Sequence, residues 1–147
     1  MKALTLWQPW ASLIAWGEKH YETRSWKTDY RGPLAIHASH RLTEDQKYIC
    51  STLRVAKILS AHGIEDPIQL ALGCIVCVAD LVEVIATEAW FQRRSIPYKE
   101  TAFGNYGYGR FAWKLENVHV LIEPIPVKGG QGLWEWPTSL KSLEFME

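Results

Sequence analysis

Between Gly17 and Arg24 the chain reads Gly-Glu-Lys-His-Tyr-Glu-Thr-Arg, charge of both signs in a segment with apolar sequence on either side. Lys19 and Arg24 can hold a phosphate or a carbonyl oxygen, and Glu22 can orient them or accept a hydrogen bond from a base amine. Trp7, Trp10 and Trp26 offer aromatic faces close by in sequence, the surfaces on which unstacked bases pack. The plainer alternative is an ion pair of Glu22 with Arg24 or Lys19 that locks a strand edge. A second stretch, 87–108, interleaves Trp90, Phe91, Tyr98, Phe103 and Tyr106 with Arg93 and Arg94. Single-stranded nucleic-acid contacts have that composition, and so does a loop that folds back to cover a barrel end.

Other spacings carry less. Cys74 and Cys77 are a C-x-x-C pair without a second pair, inside an apolar run. Residues three apart on a strand face opposite ways, so Cys50, Cys74 and Cys77 are expected to be buried free thiols, not metal ligands or a disulfide. Gly129-Gly130-Gln131-Gly132 lacks the order of a phosphate-cradling P-loop, since Lys128 precedes the glycines and no Ser or Thr follows at the needed spacing. Neither a metal nor a cofactor is expected.

The elements that must position these residues can be placed from periodicity. Ala3–Trp7 alternates as a strand, with Leu4 and Leu6 on one face. Pro9 suits a first helical turn, Trp10, Leu13 and Ile14 continue at helical spacing, and Gly17 sits where a left-handed residue ends a helix. Period two then predicts a strand with His20, Glu22, Arg24 and Trp26 on one face, and Lys19 out of parity unless it belongs to the preceding turn. A turn at Tyr30–Pro33 leads to a strand through Ala38 that carries His37 on its second face. Thr43 and Gln46 form a capping box for one long helix over 43–62, striped by Ile49, Leu53, Ala56 and Leu59. Leu72–Ile85 reads as a central strand with Asp80 at a bulge or rim. Arg110–Leu115, a turn at Glu116-Asn117, and Val118–Ile122 read as a further pair of strands, and Pro124 and Pro126 confine the residues around them to a sheet edge. Residues 138–147 read as a helical or frayed tail on a domain of 1–137.

With 147 residues, 48% of them hydrophobic and 22% charged, the chain is expected to form one domain. No apolar run reaches the roughly 18 residues of a membrane helix and no secretory signal opens the sequence, so no membrane partner and a cytoplasmic location are expected. A formal net charge of zero argues against a histone-like polymer coat. Residues 1–41 nevertheless hold six Lys and Arg against three acids, so an anionic partner should meet that third of the chain.

Three stretches carry a family resemblance. Leu4-Thr5-Leu6-Trp7-Gln8-Pro9-Trp10-Ala11-Ser12-Leu13, Gly17-x-Lys19-x-x-Glu22-x-Arg24-Ser25-Trp26 and Arg31-Gly32-Pro33-Leu34-Ala35-Ile36-His37-Ala38-Ser39 resemble the ASCH domain. Pro126-Val127-Lys128-Gly129 and Leu133-Trp134 resemble its closing strand and loop. The resemblance implies an α+β, PUA-like small open β-barrel with flanking helices. It also implies a cleft lined by the G-x-K-x-x-E-x-R motif that faces RNA, single-stranded nucleic acid or a modified nucleoside, with Trp7, Gln8, Pro9, Trp10, Ser12, Lys19, Glu22, Arg24, Trp26, Arg31, His37 and Ser39 as candidate binding residues. The second implied function is a small hydrolase, an N4-acylcytidine amidohydrolase or a ribonuclease, with Lys19 as base and Glu22 as the other candidate catalytic residue. The match to such enzymes is incomplete: Glu22 stands where they have Thr, Thr23 is one residue off, and their Glu lies in another segment. Glu22 beside Lys19 favours a charged ammonium that acts as a donor, replaceable by Arg with most affinity kept, unless burial outweighs the pairing.

Overall fold

A computed structural model describes residues 1–89 and 96–147 of the chain. Alternating apolar residues build β1 (Lys2–Leu6), and the short α1 (Trp10–Ala15) follows it directly. Next come β2 (Tyr21–Arg24), β3 (Gly32–Ala38), α2 (Glu44–Ser51) and α3 (Leu53–Ala61). Two long strands, β4 (Cys74–Ala86) and β5 (Phe111–Pro126), and the short β6 (Leu133–Glu135) complete a six-stranded sheet of order β2-β5-β4-β3-β1-β6. β1 runs parallel to β3, and every other pairing is antiparallel. The sheet curls into an open half-barrel with helices at its flank, the α+β architecture expected from the sequence.

Its concave side buries Leu4, Leu6, Ile36, Cys77, Leu81 and Trp113, and α1 closes over them with Ala11 and Ile14. The opposite side of β1 and β3 carries Ala3 and Ala35 and packs with Ile75, Val78, Leu121 and Trp136. Residues 138–147, read as a helical or frayed tail, hold a short 3-10 segment at Leu140–Ser142 and pack on that second layer: Leu143 and Phe145 lie there, Phe145 bridges to Leu121, and the Met146 amide donates to the Val120 carbonyl at 2.8 Å.

Three expectations about the elements need correction. The long helix over 43–62 is two helices, because Thr52 is extended (φ −64°, ψ 146°) and its hydroxyl bonds back to the Ile49 carbonyl at 2.7 Å. The turn rotates the second helix, so Val55 and Leu59 are buried while Leu53, assigned to the apolar stripe, is 73% exposed. The two strands expected around Glu116-Asn117 are one strand, since Asn117 takes a left-handed φ of 53° within β5 and the chain continues in the same direction. Its side chain donates to Asp80 at 3.1 Å, which gives the carboxylate a partner at the expected bulge. A further bulge, between Ile75 and Cys77, puts Cys74 and Cys77 on the same face of β4, against the period-two reading. Both remain buried thiols, as is Cys50, and burial raises the pKa of each, that of Cys77 to about 12.

Candidate functional site

Gly17, at φ 77°, ends α1 by folding the chain back, so that the amides of Glu18 and Lys19 both donate to the Leu13 carbonyl at 2.9 and 3.1 Å. This return sends the Lys19 side chain inward beneath Trp10. Lys19 is 1% exposed; its Nζ donates to the Phe103 carbonyl, lies 3.5 Å from Glu22 Oε1 and stands 5.2 Å from the Trp10 ring centre. Burial holds the amine below the ordinary lysine pKa and outweighs the opposing pull of Glu22 and Glu100. Burial is thus the larger influence on this amine, the exception that the sequence reading allowed for.

Glu22 and Arg24 project from the same face of β2, as period two requires. Arg24 reaches Glu22 Oε2 with Nη2 at 3.0 Å and with Nε at 3.1 Å, and its Nη2 also donates to the Thr5 carbonyl at 2.8 Å. Glu22 therefore bridges a buried amine and a half-buried guanidinium, and Arg24 ties β2 to β1. Glu100 completes the group. It is fully buried and accepts from the amides of His20 at 2.8 Å and Tyr21 at 3.1 Å, with the His20 ring at 3.2 Å from its other oxygen. Sequence reasoning did not single out Glu100, which sits in a polar, aperiodic stretch after Pro97 with nothing to distinguish it from a surface glutamate.

Two clefts open beside this group. The first, of about 530 Å³, is lined by Trp7, Trp10, Glu22, Arg24, Phe103 and Arg110, with Ile49 and Thr52 at the helix break forming a further side. The second, of about 480 Å³, lies under the turn 128–132, between it and Ser39 and Arg41. Trp7 and Arg24 line both.

The ASCH domain family model matches residues 4–125, most of the chain. This chain belongs to the ASCH domain family. It is 26% identical over 132 residues to activating signal cointegrator 1 of Mus musculus and of Homo sapiens, covering 90% of this chain and 22% of either relative. This ASCH chain thus spans about a fifth of the length of those curated relatives. It also superposes on the ASCH protein of Zymomonas mobilis with a TM-score of 0.55 at 13% identity, over 92% of this chain and 87% of that one, and a mutant form of that protein gives 0.54. The latter likeness is one of fold.

Not all of the ASCH motif residues lie in the clefts. Glu22, Arg24, Trp7 and Trp10 line the first, His37 and Ser39 line the second, and Lys19 lies buried behind Glu22, outside both linings. Gln8 and Ser12 are buried supports: Gln8 Nε2 bonds Ser12 Oγ at 2.8 Å and the Ala71 carbonyl at 2.7 Å, fixing the start of α1 after Pro9. Trp26 packs edge-on against Trp113 with ring centres 4.8 Å apart, and Arg31 bonds the carbonyls of Thr28 and Tyr30 at the surface. Of the 87–108 stretch, Trp90, Phe91, Arg93 and Arg94 lie outside the described residues. Phe103 turns inward onto Trp10 and Lys19, Tyr106 packs with the Tyr21 and Ile85 cluster, and Tyr98 is exposed.

His37 has a determined tautomer. A carbonyl can only accept, so Nε2 carries the proton donated to Val127 O at 2.7 Å. The neutral ring then accepts at Nδ1 from the Thr5 hydroxyl at 3.2 Å, and Thr5 accepts from Trp134 Nε1 at 3.1 Å. Burial lowers the His37 pKa below its ordinary 6.5. A lowered folded-state value gives a contribution that is fully present above pH 6.5 and lost as pH falls through the folded pKa. Thermal unfolding followed downward from neutral pH should show this loss, and His37→Gln should flatten it. An unchanged slope in that variant would assign the acid sensitivity elsewhere.

Proposed function

We propose that this ASCH domain binds single-stranded RNA, or a modified nucleoside within it, with one unstacked base in the cleft lined by Trp7 and Trp10. The observation that carries the reading is that aromatic walls and the Glu22–Arg24 pair meet in one cleft of about 530 Å³, within the range of small-ligand pockets. Tryptophan faces supply stacking that tolerates any base, while the carboxylate and guanidinium supply an acceptor and a donor for an exposed base edge. Lys19 acts behind them as a positioning residue: it holds Glu22 and the Phe103 carbonyl, both of which border the cleft.

Trp7 is 38% exposed, so Trp7→Ala should leave the fold intact and weaken binding of a labelled single-stranded RNA by about 1–3 kcal/mol, the worth of one stacked base. Fluorescence anisotropy at low salt measures it. The cations that border the clefts are few, Arg24, Arg41, Arg110 and Lys128, so the salt slope should be shallow, about 0.7 for each phosphate contact. Undetectable binding at low salt, or full affinity in Trp7→Ala, would remove this reading.

A second reading, hydrolysis of an N4-acylated cytidine, is favoured by one observation: burial depresses the Lys19 pKa, as a catalytic base requires, with Glu100 close enough to act on it. Turnover of N4-acetylcytidine that disappears in Lys19→Met would establish it. Nucleoside binding without turnover leaves recognition as the function.

A further inference from the structure

The two clefts differ in chemistry although they share a wall. The first contains the Glu22 carboxylate. No acidic residue lines the second, which is bordered by Arg24, Arg41, Lys128 and His40. Arg41 and Lys128 make no ion pair among the described residues, so no described carboxylate offsets their charge. Arg41 is nonetheless placed, with its guanidinium carbon 5.5 Å from the Trp7 ring centre.

One side of the second cleft is the turn 128–132. The amides of residues 128–132 donate to no acceptor among the described residues, so they remain available as donors. Glycine brings this backbone in. A Cβ on Gly129 would stand 2.7 Å from both His37 Cε1 and Thr5 Oγ1, and one on Gly130 would stand 3.0 Å from Trp134. The turn lies against the His37–Thr5–Trp134 chain of hydrogen bonds, which fixes its height above the sheet.

We propose that this basic cleft is a phosphate subsite, taking the phosphodiester of the nucleotide whose base occupies the aromatic cleft. The inference rests on the base-binding reading above and adds a division of labour. A nucleotide presents a flat, apolar-faced base and, one sugar away, a compact anion. Trp7 and Arg24 stand between a cleft suited to the first and a cleft suited to the second. Arg24 pairs with the carboxylate of the aromatic side and also faces the basic side, whose lining holds no acid. A ligand with both groups therefore has one orientation across the wall.

The test compares the unaltered chain with a variant carrying Arg41→Gln and Lys128→Gln, both exposed positions, and with a control carrying Arg54→Gln and Lys57→Gln on the outer face of α3. The probes are a short labelled single-stranded RNA, a nucleoside, its monophosphate and inorganic phosphate. The cleft variant should lose at least about tenfold in RNA affinity at low salt, and its plot of log affinity against log salt should flatten by about 1.4, two contacts at ~0.7 each. In it the monophosphate's affinity advantage over the nucleoside should also shrink.

Equal losses in the control variant, or an unchanged slope in the cleft variant, would overturn the subsite while leaving base binding in place. Inorganic phosphate that displaces RNA as effectively as the monophosphate does would mark a free-anion site, and it too overturns the linkage. Failure of the unaltered chain to bind nucleoside or RNA would remove both the base site and the subsite.

Discussion

Lys19→Ala is expected to lower the unfolding free energy by about 2–5 kcal/mol, the cost of emptying a buried site the size of a long side chain. The stem is enclosed, its Nζ satisfies the Phe103 carbonyl, and Glu22 would keep only Arg24 as a neutralising partner. Lys19→Met fills most of the same volume without a charge to desolvate and should cost much less. The pair can be separated further by pH. The folded-state pKa of Lys19 lies below its ordinary 10.5, so folding favours the neutral amine. That contribution is fully present above pH 10.5 and is lost as pH falls through the folded value. Relative to Lys19→Met, the unaltered chain should therefore gain stability as pH rises from neutrality toward 10.5. Urea unfolding across that interval measures the difference, and a constant offset between the two proteins would contradict a depressed pKa.

Glu100→Ala should be comparably damaging. It removes the acceptor of two backbone N–H groups at the start of β2, those of His20 and Tyr21, and buried donors left without partners cost about 1–3 kcal/mol each, or roughly 2–6 kcal/mol for the pair. The loss also detaches the short 3-10 segment Tyr98–Phe103 from β2, and with it the carbonyl that holds Lys19. Glu100→Gln keeps an oxygen for the amides and removes the charge. It should therefore unfold at a temperature between those of the unaltered chain and the Ala variant, and it should lower the Lys19 pKa further, because Glu100 raises it. Equal losses in both variants would show that the charge, and not the accepted hydrogen bonds, carries the stability.

The order and type of the elements were legible in the sequence because they depend on local chemistry. Gly17 ends α1 where a left-handed residue was required, the Thr43–Gln46 box opens α2, and alternation places Leu4 and Leu6 on one face of β1. The misses arise where a single residue overrides the pattern. Thr52 leaves the helical conformation in the middle of an apolar stripe, and Asn117 absorbs inside one strand what reads as a turn between two. The bulge next to Cys77 reverses the parity that had separated it from Cys74. In the site, Glu22 and Arg24 could be paired from spacing alone, since both sit on one strand. The depth of Lys19 could not, because its burial is produced by Phe103, eighty-four residues away in sequence. Glu100 was hidden for the same reason.

The turn 128–132 and β6 lie after residue 125, where the family match ends. The aromatic cleft draws on the chain from Trp7 to Arg110, all within the matched span, whereas the basic cleft takes one side from the turn 128–132 beyond it. The two clefts thus draw on different lengths of chain: the aromatic one is complete by Arg110, whereas the basic one is closed only when the turn before β6 has been laid down.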